Sequence, residues 1–116
     1  MTRPILVALY APADRPERFE KALDAGADAV IVDLEDAVAL SRKAQARAAL
    51  AEFAAVRASR GAAAPAVQVR VNARGADAHA ADIAAVADLP AAFGIRLPKT
   101  RSADDVAAVR AAAPGR

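Results

Sequence analysis

Ala29-Val30-Ile31-Val32-Asp33-Leu34-Glu35-Asp36 runs from four apolar residues straight into three carboxylates. A short, β-branched run that ends in charge predicts a buried parallel strand whose carboxyl end opens into a polar loop. In α/β proteins, ligands and chemistry gather at such strand ends. Asp33, Glu35 and Asp36 therefore read as one wall of a site.

Working outward, the same unit repeats. Residues 4–10 form a first apolar strand, and Asp14 then reads as the N-cap of a helix reaching about Ala25, which Gly26 closes. Downstream of Asp36 a helix spans about residues 41–59 and stops at Gly61. A third strand, residues 66–72, precedes a helix over about 77–88; a fourth, residues 93–97, precedes a helix capped by Ser102. Strict strand–helix alternation predicts a parallel sheet with right-handed crossovers.

Period-two parity narrows the architecture. Val67, Val69 and Val71 share one face and Gln68, Arg70 and Asn72 the other; Val30, Val32 and Leu34 oppose Asp33 and Glu35. A doubly wound sheet is apolar on both faces, whereas a barrel wall can carry polar groups inward near its top. The polar groups also share a height: Asp33, Glu35 and Asp36 end strand two, Arg70 and Asn72 end strand three, and Lys99 follows strand four. The expected fold is α/β, four βα units with parallel strands forming a barrel wall, with residues 1–116 as one domain.

Composition excludes other classes. The 116 residues suffice for one core and not for two. A mean hydropathy of +0.18 excludes a wholly disordered chain. Alanine supplies roughly a third of the residues, and with three Phe and no Trp few large side chains anchor the core. The net charge of +2 is scattered, with no basic block or aromatic series to take a nucleic acid. Without cysteine there is no disulfide, thiolate metal site or thiol nucleophile. No apolar run is long enough to span a bilayer and no signal-peptide pattern opens the chain, so the expected location is cytoplasmic.

Asp14-Arg15-Pro16-Glu17-Arg18-Phe19-Glu20-Lys21-Ala22, Gly26-Ala27-Asp28-Ala29-Val30, Asp33-Leu34-Glu35-Asp36-Ala37-Val38 with Lys43 and Ala46-Arg47, Val69-Arg70-Val71-Asn72 and Leu97-Pro98-Lys99 occur in that order. Together they resemble the HpcH/HpaI aldolase and citrate lyase β-subunit family, from about Arg3 to Val106. The resemblance implies that residues 1–116 are the N-terminal four βα units of a (β/α)8 barrel, a single partial domain. It also implies Mg²⁺ and reversible cleavage of a 3-hydroxyacyl thioester (malyl, citramalyl or citryl) into an acyl thioester and a 2-oxo acid. The partners it implies are an acyl-CoA or acyl-carrier thioester and a 2-oxo acid, in a homo-oligomer of the full-length form. A noncatalytic half-barrel partner subunit, or a pyruvate-type class II aldolase of the same superfamily, stands as the alternative.

By this resemblance Arg70 grips the oxo-acid carboxylate through a bidentate pair. Glu35 and Asp36 match the family's catalytic acidic pair, reaching the metal through coordinated water rather than directly. Asn72 and Lys99 complete the expected substrate contacts, against the plainer readings of a loop brace and a solvated lysine. Asp33 reads as structural, paired inside the wall. Lys43 and Arg47 are expected to form salt bridges toward the acidic loop, and His79 and the first-turn Arg15 and Arg18 have plain structural readings. Where the family has Pro-Gly in the first loop this chain has Pro12-Ala13, and Arg101 stands at a family glutamate. The family's direct metal ligands lie on strands beyond the fourth, so the chain is expected to be inactive alone.

Overall fold

Four parallel strands alternate with four helices in the computed structural model, which describes residues 4–61 and 64–116. Arg3, where the resemblance begins, lies outside the described residues. The elements are β1 (Ala8–Pro12), α1 (Phe19–Asp24), β2 (Ala29–Asp33), α2 (Lys43–Ala58), β3 (Ala66–Arg70), α3 (His79–Ala87), β4 (Gly94–Arg96) and α4 (Ala103–Ala112). Turns of 3₁₀ helix at Pro16–Arg18 and Leu40–Arg42 lead into α1 and α2. The sheet order is β1-β2-β3-β4. Parallel neighbours joined in chain order by crossovers of one hand carry all their helices on one face. A doubly wound sheet reverses its order partway; this one does not, and it has the order of a barrel wall.

The helix-covered face is the valine face. Val30, Val32, Val67 and Val69 are buried there with Leu50 and Val86. All three phenylalanines are fully buried, Phe19 edge-on to Phe53 at 4.9 Å and Phe53 edge-on to Phe93 at 6.2 Å between ring centroids. Edge-to-face contacts of this kind add about 0.5–1.5 kcal/mol each beyond area burial. The three phenylalanines are thus concentrated at one point, between the α1, α2 and β4 ends of the core.

The first strand corrects the expected range of residues 4–10. Residues 4–7 precede the ladder, tied instead to Asp28: Leu6 N and Val7 N donate to its Oδ2 at 2.9 Å, and Asp28 N donates to Val7 O at 2.9 Å. The ladder itself pairs Ala8 with Ala29 and Pro12 with Asp33. An uninterrupted apolar run has no internal mark for register, so a polar anchor outside the run decides it. Pro12 is tolerated because β1 is an edge strand.

Two expected caps are also corrected. Asp14 makes no cap bond; Pro16 removes one of the N–H groups it would accept, and Arg42 Nε donates to its Oδ2 at 2.5 Å instead. Ser102 occupies the N-cap position of α4 without a side-chain bond. Asp105, in the first turn, instead ties down the residue before the cap, accepting from Arg101 N at 2.9 Å, and this bond first, with Arg74 beside it, lowers its carboxyl pKa. Gly26 closes α1 at φ +88, a left-handed conformation that costs glycine little. Ala13, where the family has glycine, is buried and has no positive φ, so this loop does not need the glycine conformation.

Candidate active site

The register places the last residue of every strand in one layer: Pro12 beside Asp33, Asp33 beside Arg70, Arg70 beside Arg96. Register partners on parallel strands point to the same face, here the face opposite the helices. One carboxylate and two guanidinium groups therefore top adjacent strands.

Asp33 is completely buried and hydrogen-bonded on both oxygens. Arg70 Nε donates to Oδ1 at 2.8 Å and Nη2 to Oδ2 at 2.6 Å, while Glu35 N and Ala37 N donate at 2.9 and 3.0 Å. Burial by itself would raise this carboxyl's pKa; the Arg70 bonds and the two backbone donors outweigh it and hold the group below the ordinary value. Hydrogen bonding to Asp33 is in turn the main cause raising the Arg70 pKa. Arg70 also lies over the Tyr10 ring, 4.6 Å from its centroid, a cation–π contact. The guanidinium is clamped along one edge, through Nε and Nη2. Its other end carries Nη1, 3.6 Å from Glu35 Oε1.

Glu35 is buried and Asp36 is exposed at 72% of its side chain. Lys99 Nζ donates to Glu35 Oε2 at 2.5 Å and stands 3.8 Å from Asp36 Oδ1. That hydrogen bond to Glu35 is the main reason the lysine pKa is raised. Lys99 has φ +54, the one positive φ among the described non-glycine residues. A left-handed lysine is uncommon and costs energy; here it aims the ammonium back at the acidic loop. Lys43 corrects its expected salt bridge. It donates to three carbonyl oxygens of the acidic loop, Leu34 and Glu35 at 2.9 Å and Val38 at 3.1 Å, and so fixes the loop's path rather than its charge.

Asn72 uses both amide hydrogens within the protein, toward Leu34 O at 2.9 Å and Asp82 Oδ2 at 2.6 Å. Asp82, fully buried on α3, also accepts from Asn72 N at 2.7 Å and from Arg47 Nη1 at 3.2 Å. Arg47 thus pairs with Asp82, not with the acidic loop. His79 donates from Nδ1 to Asn72 O at 2.8 Å, a structural role. Sequence reading missed Asp82; the available signal was a carboxylate on the stripe it shares with Val86, four residues on. It missed Arg96 as well, whose only strand-level signal is its register with Arg70.

A cleft of about 310 Å³ opens beside this cluster, lined by Glu35, Asp36, Lys43, Asn72 and Lys99. A larger trough of about 390 Å³ runs between β1 and α1 and contains none of the rim carboxylates. The donor set does not make a first coordination shell for a divalent ion: Asp33 is saturated and Glu35 is occupied by two cations. Among the described residues no group of three or more His, Cys, Asp or Glu could hold a metal. No helix among them is long and apolar enough to cross a membrane.

Known proteins resemble this chain in sequence and in fold. A citrate lyase subunit β-like protein of Mycobacterium tuberculosis is 45% identical over 98 residues, 84% of this chain and 33% of the relative. An L-malyl-CoA/β-methylmalyl-CoA lyase of Cereibacter sphaeroides is 48% identical over 50 residues, 43% of this chain and 16% of that protein. The solved citrate lyase β subunit of M. tuberculosis, complexed with oxaloacetate and magnesium, superposes with a TM-score of 0.67 at 39% identity, over 88% of this chain and 42% of that one. The chain therefore spans about a third of the length of the curated citrate lyase relative it matches. Residues 6–114 match the HpcH/HpaI aldolase/citrate lyase family, and the chain belongs to it.

Proposed function

We propose that this chain forms the first four βα units of an eight-unit barrel and supplies the oxo-acid grip of a CoA-ester carbon–carbon lyase. The observation that carries the reading is the clamped Arg70: Asp33 holds one edge of the guanidinium and leaves Nη1 on the rim beside Glu35. A guanidinium has five N–H groups, so Nη1, which is held only by a 3.6 Å ion pair with Glu35, can take a substrate carboxylate without the loss of the Asp33 brace. Preorganised donors of this kind cost little reorganisation when charge develops.

The reaction is cleavage of a 3-hydroxyacyl thioester. The hydroxyl loses its proton and its carbon becomes the ketone of a 2-oxo acid. The carbon–carbon bond breaks, and its electron pair passes to the thioester enolate, which then takes a proton. Arg70 holds the carboxylate of the departing oxo acid. Glu35 and Asp36 are assigned to the reacting end; because they form no direct ligand set, they would hold a Mg²⁺ ion only through its water, and the ion would supply charge stabilisation for the enolate. Lys99 aims the Glu35 carboxylate through its hydrogen bond to Oε2, and Asn72 fixes the floor of the cleft through Leu34 and Asp82. A cytoplasmic location and a homo-oligomeric full-length form belong to the same reading. A second reading, a half-barrel subunit that completes a partner chain, is favoured by β1 and β4 each having a single neighbour in the sheet.

Titrating pyruvate into the ¹⁵N-labelled chain while following the arginine Nε–Hε resonances tests the grip. Arg70 should shift saturably, and Arg70→Gln should abolish binding. An Arg70 signal indifferent to pyruvate would sink the reading. With Mg²⁺ and malyl-CoA, the 116-residue chain alone should give no turnover; robust turnover would overturn its partial-barrel character.

A further inference from the structure

Arg96 ends β4 in direct register with Arg70 and on the same face of the sheet. Two guanidinium groups on adjacent strand ends, one strand spacing of ~4.8 Å apart at the backbone, repel unless anions lie among them. Asp33 answers Arg70 alone. Arg96 Nε donates to the neutral Gln68 Oε1 at 3.0 Å, and among the described residues neither Nη1 nor Nη2 of Arg96 has a hydrogen bond or ion pair. The side chain is exposed on the strand face, not tucked under a helix.

The surroundings explain its placement. Arg70 leans across β2 toward Asp33 and Tyr10, away from β4. Gln68 lies on the neighbouring strand, in register with Gly94 and two residues before Arg70. Gln68 in turn braces the inner edge of the Arg96 guanidinium and leaves its outer fork free. A fork of that shape matches a carboxylate.

We propose that Arg96 is a second anion contact of this site and makes it select 2-oxo acids that carry a second carboxylate. The proposal rests on Arg70 as the grip for the first one. A four-carbon 2-oxo diacid carries its carboxylates at the two ends of a chain about three carbon–carbon bonds long, so Nη1 of Arg70 and the outer fork of Arg96, delivered by neighbouring strands, can each meet one. Pyruvate offers Arg70 the same 2-oxo carboxylate and offers Arg96 nothing.

Oxaloacetate and pyruvate differ by that one carboxylate, so their dissociation constants for the chain, measured by the same arginine resonances, form the test. Oxaloacetate should bind at least about tenfold more tightly, ~1.4 kcal/mol, and should shift the Arg96 Nε–Hε signal as well as that of Arg70. Arg96→Gln should narrow the preference to about twofold and leave the pyruvate constant unchanged; Arg96→Lys should restore part of it. Arg70→Gln should weaken both ligands. If Arg96→Gln leaves the preference intact, or if inorganic phosphate shifts Arg96 at lower concentration than oxaloacetate does, the assignment of Arg96 to a second carboxylate is wrong while the Arg70 grip stands. Loss of pyruvate binding in Arg96→Gln would also overturn it. Failure of both ligands to bind the unaltered chain would remove both assignments.

Discussion

Asp33 is the residue on which the rim depends. It receives four hydrogen bonds, two from Arg70 and two from the loop that carries Glu35 and Asp36. Breaking a buried pair by removing one partner leaves the other charge uncompensated. Asp33→Asn should therefore destabilise the fold by about 2–4 kcal/mol, the cost being moderated because Arg70 is partly exposed. The pH dependence follows from the direction of its shift. A carboxyl whose folded pKa lies below its unfolded value, about 3.9, contributes stability above that value and loses it as pH falls through the folded pKa. Urea midpoints of the unaltered chain should fall steeply below about pH 4, and those of Asp33→Asn should fall less. Parallel curves for the two would place the acid sensitivity elsewhere.

At the scale of elements, β2 and α2 were legible because their signals are redundant. Val30 and Val32 alternate with charge beyond, and α2 is long and alanine-rich with its apolar residues at helical spacing. The rim was legible for the same reason: three strands end in polar residues at one height. What escaped depends on contacts distant in sequence. The start of β1 is set by the Asp28 carboxylate, and the path of the Asp14 loop by Arg42, 28 residues away. Arg96 sits on a strand of three residues, too short to show alternation. Lys43 belongs to this scale too, because it joins α2 to the loop after β2. Lys43→Met keeps the bulk and removes the donor to three carbonyl oxygens. Leaving buried acceptors unpaired costs about 1–3 kcal/mol. A lower urea midpoint at unchanged slope, with faster amide exchange at Glu35 and Ala37, is the expected outcome.

For the whole molecule, the decisive asymmetry is between interior and edge strands. β2 is buried along its full length and pairs on both sides, as does β3; β1 and β4 pair on one side only. The exposure follows: Leu6, Val7, Leu9 and Tyr10 are all exposed large side chains, Leu6 at 82%. An edge strand presents backbone groups without sheet partners, and local opening there costs less than global unfolding. Native-state hydrogen exchange on a dilute sample should therefore protect β2 and β3 amides at least about a hundredfold more than those of β1 and β4, a gap of ~2.7 kcal/mol. The same gradient gives the barrel reading a physical test. A neighbouring strand supplied by other βα units, or by another chain, would cover the β1 edge and raise its protection toward that of β2. Protection that rises with protein concentration would mean that copies of this chain cover the edge themselves, and sedimentation at the same concentrations would show the association. Uniform protection across all four strands at every dilution would mean that the four βα units close their own edges, and the sheet would then be a finished domain rather than one wall of a barrel.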